Sequence, residues 1–259
     1  MKPILYLSII CLVLLLFSCK DSSENIGYVD PNEELVEDLN KVEGDSRTYN
    51  TDFKILAEPQ EANYFEPTTI SVALSSIPTE MEAAIHLPSV SDLPFTPGTE
   101  KANIVTFWNE FNTLIFQVQV AYFENDAEYK ADNQDFFIIS ATQLADNPFL
   151  DTEAVDDPID EWIEEFNMNG ASEPVDVRIY QKLELTHELP LFFKGKFRKW
   201  ETMYPYYSYK ADQKLIEHTS TGSKMYYAWH DGLIFQIGYN MDIEGMDMEA
   251  MIKEIILGK

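Results

Sequence analysis

Two runs decide how this chain folds: Ile104-Val105-Thr106-Phe107-Trp108 and Thr113-Leu114-Ile115-Phe116-Gln117-Val118-Gln119-Val120-Ala121-Tyr122, joined by Asn109-Glu110-Phe111-Asn112. Successive side chains of a strand point to opposite faces, so Leu114, Phe116, Val118, Val120 and Tyr122 all point one way. The pattern predicts a hairpin whose second strand is half buried. Phe136 to Ser140 continues the β character, and Val175, Val177 and Ile179 alternate with Asp176, Arg178 and Tyr180. A second hairpin is marked by Asp231-Gly232 between Met225 to Trp229 and the alternating Leu233, Phe235, Ile237 and Tyr239.

Upstream of the first hairpin, Phe53 to Pro97 is interrupted by Pro59, Pro67, Pro78, Pro88, Pro94 and Pro97. Proline fixes φ and removes a donor, so only short strands, such as Thr69 to Leu74, are expected between them. Between the sheet segments a helix is predicted over about 158–168. Asp157 caps it, Pro158 suits its first position, and Ile159, Trp162, Ile163 and Phe166 form one apolar stripe before Asn169-Gly170 ends it. A last amphipathic helix over about 247–257, capped by Asp247, carries Met248, Met251, Ile252, Ile255 and Ile256 toward the sheet. Strands with one helix inserted and one appended make an α+β class with a mainly antiparallel sheet and both helices packed on it.

The rest of the chain sets its context. There are 45 acidic and 18 basic residues among 259, a formal charge of -27, which excludes a partner recognised through nucleic acid phosphates. Hydrophobic residues at 45% and aromatics at 13% are enough for a folded core despite that charge. At the N-terminus Lys2 precedes an apolar run, Ile4 to Phe17, that is too short for the roughly 20-residue helix needed to span a bilayer core. It reads as a signal peptide, residues 1–18. Residues 19–50 are acidic and poor in apolar side chains and read as a flexible tether, with one short helix expected around Glu33 to Glu43 from the spacing of Leu35, Leu39 and Val42. Residues 51–259 are expected to form a single globular domain.

Leu16-Phe17-Ser18-Cys19 resembles the lipobox of bacterial lipoproteins, with a branched apolar residue, a small residue and then a cysteine. The resemblance covers about the first twenty residues. It implies that Cys19 becomes the mature N-terminus, carrying a diacylglyceryl thioether and an acylated amine, and that the chain is held to a membrane by lipid. Lys20 follows where some inner-membrane lipoproteins carry aspartate, so the resemblance implies the outer membrane. Lys20-Asp21-Ser22-Ser23-Glu24 is also similar to short export signals of surface lipoproteins, and the periplasmic and surface-exposed sides stay equally open. The only other cysteine, Cys11, lies in the segment to be removed, so the mature chain has no disulfide, no thiolate metal site and no cysteine nucleophile. Trp229-His230-Asp231-Gly232-Leu233-Ile234-Phe235, followed by Glu249 to Ile256, resembles the terminal hairpin-plus-helix module of uncharacterised bacterial envelope proteins, including regions appended to anti-sigma regulators. That likeness spans about residues 225–259 and implies a small α+β fold without catalytic residues.

The sequence has no phosphate-binding loop, dinucleotide glycine pattern, zinc-protease helix or nucleophile elbow. His86, His187, His218 and His230 are scattered, which gives a zinc cluster no local support. Asp146 to Glu165 holds nine carboxylates and no base; Asp151, Glu153, Asp156 and Asp157 could offer calcium hard oxygen ligands, or the run is a solvated acidic loop. Lys194 to Trp200 concentrates four of the 18 basic residues. Lys196, Arg198, Lys199, Trp200, Tyr204, Tyr206 and Tyr207 are the candidate recognition surface for an envelope protein or a glycan, against the alternative of a basic turn followed by an ordinary tyrosine-bearing strand. No cofactor is expected. A non-enzymatic binding or scaffolding domain leads, and the alternative is a polysaccharide hydrolase using two acids among Asp146 to Glu165 and Glu173.

Overall fold

The computed structural model describes residues 30–44, 62–109, 111–125, 134–145, 147, 180–195 and 203–259. The chain divides into two units, Met1–Pro31 and Asn32–Lys259; only Asp30 and Pro31 of the first are described. The segment read as a signal peptide, Cys19 and the helix expected over 158–168 lie outside the described residues.

Eleven strands among the described residues form the sheet: β1 (Lys41–Gly44), β2 (Ala62–Phe65), β3 (Thr99–Trp108), β4 (Leu114–Phe123), β5 (Phe136–Gln143), β6 (Tyr180–Glu184), β7 (Pro190–Lys194), β8 (Met203–Lys210), β9 (Leu215–Gly222), β10 (Lys224–His230) and β11 (Leu233–Asn240). Their spatial order is β6-β7-β10-β11-β5-β4-β3-β2-β1-β9-β8. All neighbours are antiparallel except β1 and β9, which run parallel through Glu43↔Leu215 and Gly44↔Ile216. Among the described residues three α-helices accompany the sheet: α1 (Ile70–Ser75), α2 (Thr79–Ala84) and α3 (Met248–Leu257). The α+β class with a mainly antiparallel sheet is what the alternation and the terminal helix predicted.

Both predicted hairpins are present. In the first, Asn109 Oδ1 accepts from the N–H groups of Phe111 and Thr113 at 3.0 and 2.9 Å, and Asn112 turns the chain at φ 55°. In the second, Asp231 (φ 48°) and Gly232 (φ 74°) both take positive φ, the requirement of a two-residue turn whose twist matches the strands. The C-terminal helix also begins where the sequence placed it: Asp247 Oδ1 accepts from the Ala250 N–H at 3.0 Å, and Gly258 ends the helix at φ 68°.

Several expectations are overturned. Thr69 to Leu74 is not a strand, because the Thr69 side chain accepts from the Val72 N–H at 3.3 Å and starts α1 instead. As a helix this stretch buries Ala73 and packs Ile70 and Leu74 on the core, leaving Val72 42% exposed. The tether reading fails over residues 32–44. Leu35 and Leu39 pack on the core from a 3-10 turn over Pro31–Val36, and Lys41–Gly44 enters the sheet as β1 instead of continuing a helix. Composition misled here because β1 joins through its backbone and through Gly44, where an added Cβ would lie 2.0 Å from the Tyr64 ring.

Strand β4 is not half buried; both of its faces are covered. One face carries Phe116, Val118, Val120 and Tyr122, which meet Ile139 and Phe137 of β5, Phe235 and Ile237 of β11, and Met81, Ile252 and Ile255 from the helices. The opposite face carries Gln117, Gln119, Ala121 and Phe123, and the β8-β9 hairpin folds over it with Tyr204 and Tyr206 in one cluster and Tyr207 and Ile216 in another. Hydrogen bonds seat this hairpin. Gln119 donates to the Pro205 carbonyl at 3.4 Å and accepts from the Tyr207 N–H at 2.8 Å, while Tyr207 donates its hydroxyl to Gln117.

Tyr204 completes the seat. Its hydroxyl donates to the Gln236 carbonyl at 3.0 Å and lies 2.9 Å from Ser140 Oγ, and its ring occupies the space over Gly238. A Cβ at Gly238 would come within 2.2 Å of that ring. Gly238→Ala should therefore lower stability by about 1–3 kcal/mol in denaturant melts, as overpacking does. The same change in a Tyr204→Ala background should cost clearly less, because the two residues share one space.

Candidate functional site: a groove beside the last helix

On the helix-covered side, the segment after α2 and the helix α3 stand apart enough to leave a groove of about 500 Å³. One wall is His86-Leu87-Pro88-Ser89 with Asp92, which runs from the buried anchor Ile85 to the 3-10 turn Val90–Asp92. The other wall is Met246, Asp247, Ala250, Met251, Glu254, Ile255 and Gly258. The helix presents these residues together because 247, 250, 251, 254, 255 and 258 recur at helical spacing. Ile255 is buried at the floor, Leu87, Met246 and Met251 are half-buried, and Asp92, Asp247 and Glu254 are exposed.

The two walls touch at one end. The His86 ring packs against Gly258, where a Cβ would lie 2.3 Å from Nε2. Glycine is required there twice over, by its left-handed conformation and by this contact. The ionisable side chains lining the groove are three carboxylates and one imidazole, with no lysine or arginine among them. The negative field at the start of α3 is felt behind the groove: Tyr226 is pushed up to about 12, first by burial and then by Glu249 and Asp247.

The three described residues of the sequence-predicted recognition surface are not on a surface. Tyr204, Tyr206 and Tyr207 are buried, at 0%, 2% and 4% exposure, so these rings are core and not docking platforms. The correction has a physical cause: β8 lies with one side on β5 and β11 and the other on β2, leaving neither side of the strand to solvent. Burial raises the Tyr204 hydroxyl well above the ordinary phenol value, partly offset by the Ser140 hydrogen bond. Lys196, Arg198, Lys199 and Trp200 lie outside the described residues, as do Asp151, Glu153, Asp156 and Asp157 and the other acids of Asp146 to Glu165 with Glu173. Of the histidines, His86 lines the groove, His187 is exposed in the β6-β7 loop, and His230 sits 3.4 Å from Asp231. Among the described residues no three His, Cys, Asp or Glu side chains converge to hold a metal ion.

Sequence reasoning missed the groove. Its only sequence signals were the apolar stripe of α3 and the Pro88 that keeps the facing wall extended, and neither says that two separated segments leave space between them. Comparison of the chain with protein families, curated proteins and solved structures finds no match.

One carboxylate outside the groove has a defined electrostatic role. Glu66, just after β2, accepts from the Tyr209 hydroxyl at 2.7 Å and from Asn40 Nδ2 at 3.0 Å. These bonds, Tyr209 first, hold its pKa below the ordinary value against a smaller opposing effect of burial, with help from Lys214. A depressed carboxylate stabilises the fold above its unfolded pKa of about 4.3 and loses that contribution as pH falls through the lower folded value. Wild type should accordingly lose its margin over Glu66→Gln in acid melts below about pH 4, with the difference largest near neutrality.

Proposed function

We propose that this chain is a lipid-anchored cell-envelope protein, tied to the outer membrane through Cys19, whose folded domain binds or scaffolds and does not catalyse. The observation that carries the anchoring is the run Leu16-Phe17-Ser18-Cys19 behind the apolar stretch Ile4 to Phe17. A single acyl chain gives only marginal membrane binding, and the three chains that such a cysteine carries exceed what stable anchoring needs.

Binding by the domain is supported by the groove beside α3, whose volume of about 500 Å³ falls within the roughly 300–1,000 Å³ range of ligand sites. Its lining sets the apolar Leu87, Met246, Met251 and Ile255 beside the polar His86, Ser89, Asp92, Asp247 and Glu254. Partners in this reading are the membrane, through the lipid, and an envelope protein or glycan presented near it. The β8 tyrosines, being buried, take no part in it.

The test of anchoring uses the full-length chain. Wild type should incorporate a fatty-acid probe and partition with membranes, and Cys19→Ala should do neither. Equal labelling and equal partitioning of the two would remove the lipoprotein reading.

A further inference from the structure

We propose that the groove between the His86 to Asp92 segment and α3 takes a small organic cation, an amine or guanidinium carried on an apolar stem. The assignment rests on the binding-module reading and narrows it to one ligand chemistry.

The floor and the rim ask for different halves of such a molecule. Ile255 at the floor and the half-buried Leu87, Met246 and Met251 on the walls give the groove an apolar surface, and methionine side chains bend to fit stems of different shape. Ala250 is the small residue that leaves room between them on α3. At the rim, Asp92 stands on one wall and Glu254 on the other, with Asp247 about two turns away at the start of the same helix. Asp247 already accepts from the Ala250 N–H, so its charge is partly committed to the helix, and Asp92 and Glu254 are the carboxylates most available to a ligand.

Charge decides among the alternatives. An anion would meet three carboxylates and no lysine or arginine, within a chain of formal charge -27. A neutral apolar ligand would use the floor alone. A cation on a stem uses both, and because the rim acids are exposed its charge stays in contact with water and avoids the cost of full desolvation. The volume holds a molecule of small-ligand size.

The test follows the methyl signals of Met246 and Met251 by NMR in the full chain carrying labelled methionine, titrated with hexylammonium, hexanol and hexanoate, which share one stem. Hexylammonium should shift both signals saturably, hexanol should bind more weakly and hexanoate least. Asp92→Asn with Glu254→Gln should weaken hexylammonium about tenfold and leave hexanol unchanged, with the gap between wild type and variant closing as salt rises. Ala250→Leu, which fills the groove without touching its charges, should abolish the shifts for all three while the melting curve stays cooperative. Equal affinity for the three probes, no shift with any of them, or an unchanged response in the double carboxylate variant would overturn the proposal. So would a response to a lysine- or arginine-containing peptide without one to hexylammonium, which would make the occupant a partner protein. Fatty-acid labelling at Cys19 is read separately, so failure of the cation assignment leaves the anchoring result untouched.

Discussion

The side-chain amide of Gln119 does for β8 what a neighbouring strand would do. A strand at the end of a sheet exposes alternate N–H and C=O groups along its free edge, and such edges invite pairing with other chains. Here Gln119 accepts from the Tyr207 N–H and donates to the Pro205 carbonyl, the two groups that β8 directs away from β9. One carboxamide thereby satisfies two groups of that edge and fixes where the hairpin lies. The dense aromatic packing on that side of the sheet follows from this placement: Tyr206 lies 6.0 Å from Phe123 between ring centroids, and Tyr207 meets Tyr64 edge to face at 6.4 Å.

With that face closed, the opposite face depends on shorter covers. Helices α1 and α2 have six residues each and α3 has ten, and the segment between α2 and β3 adds Leu93 and Phe95 to the same core. Helices of one or two turns have little intrinsic stability and take theirs from packing, which is why Ala73, Met81 and Ile252 are all at or below 1% exposure. Covers assembled from separate pieces cannot fill every gap with side chains. The groove beside α3 is the space left where the His86 to Asp92 segment and the helix diverge, and its acids are exposed because they stand on the outer edges of those pieces.

This division of labour suits a protein proposed to work by binding near a membrane. The sheet and its hairpin make the packed body, and the groove lies on short elements beside it. Tethering would raise the local concentration of a bound ligand or partner at the envelope without any further contact, the usual advantage of holding a site in place. The formal charge of -27 would oppose close approach to anionic surfaces and favour small cations over polyanions in the surrounding solution.

The sequence by itself determined what depends on near neighbours. The β3-β4 and β10-β11 hairpins were legible because alternation and turn residues act within a dozen positions, with Asp231 and Gly232 supplying the two positive φ angles. The start of α3 was legible for the same reason, through Asp247. What the tertiary structure decided depends on residues far apart. Gln119 and Tyr207 are separated by 88 positions, and no local pattern tells a buried glutamine holding a hairpin from a solvated one on an exposed face. The same ignorance made Tyr204, Tyr206 and Tyr207 read as a surface, made Lys41–Gly44 read as tether, and let the stretch between Pro67 and Pro78 read as a short strand when Ile70 and Leu74, four apart, serve a helix face. Periodicity reports that a face wants covering; only the path of the whole chain decides what covers it, and where two covers part to leave a site.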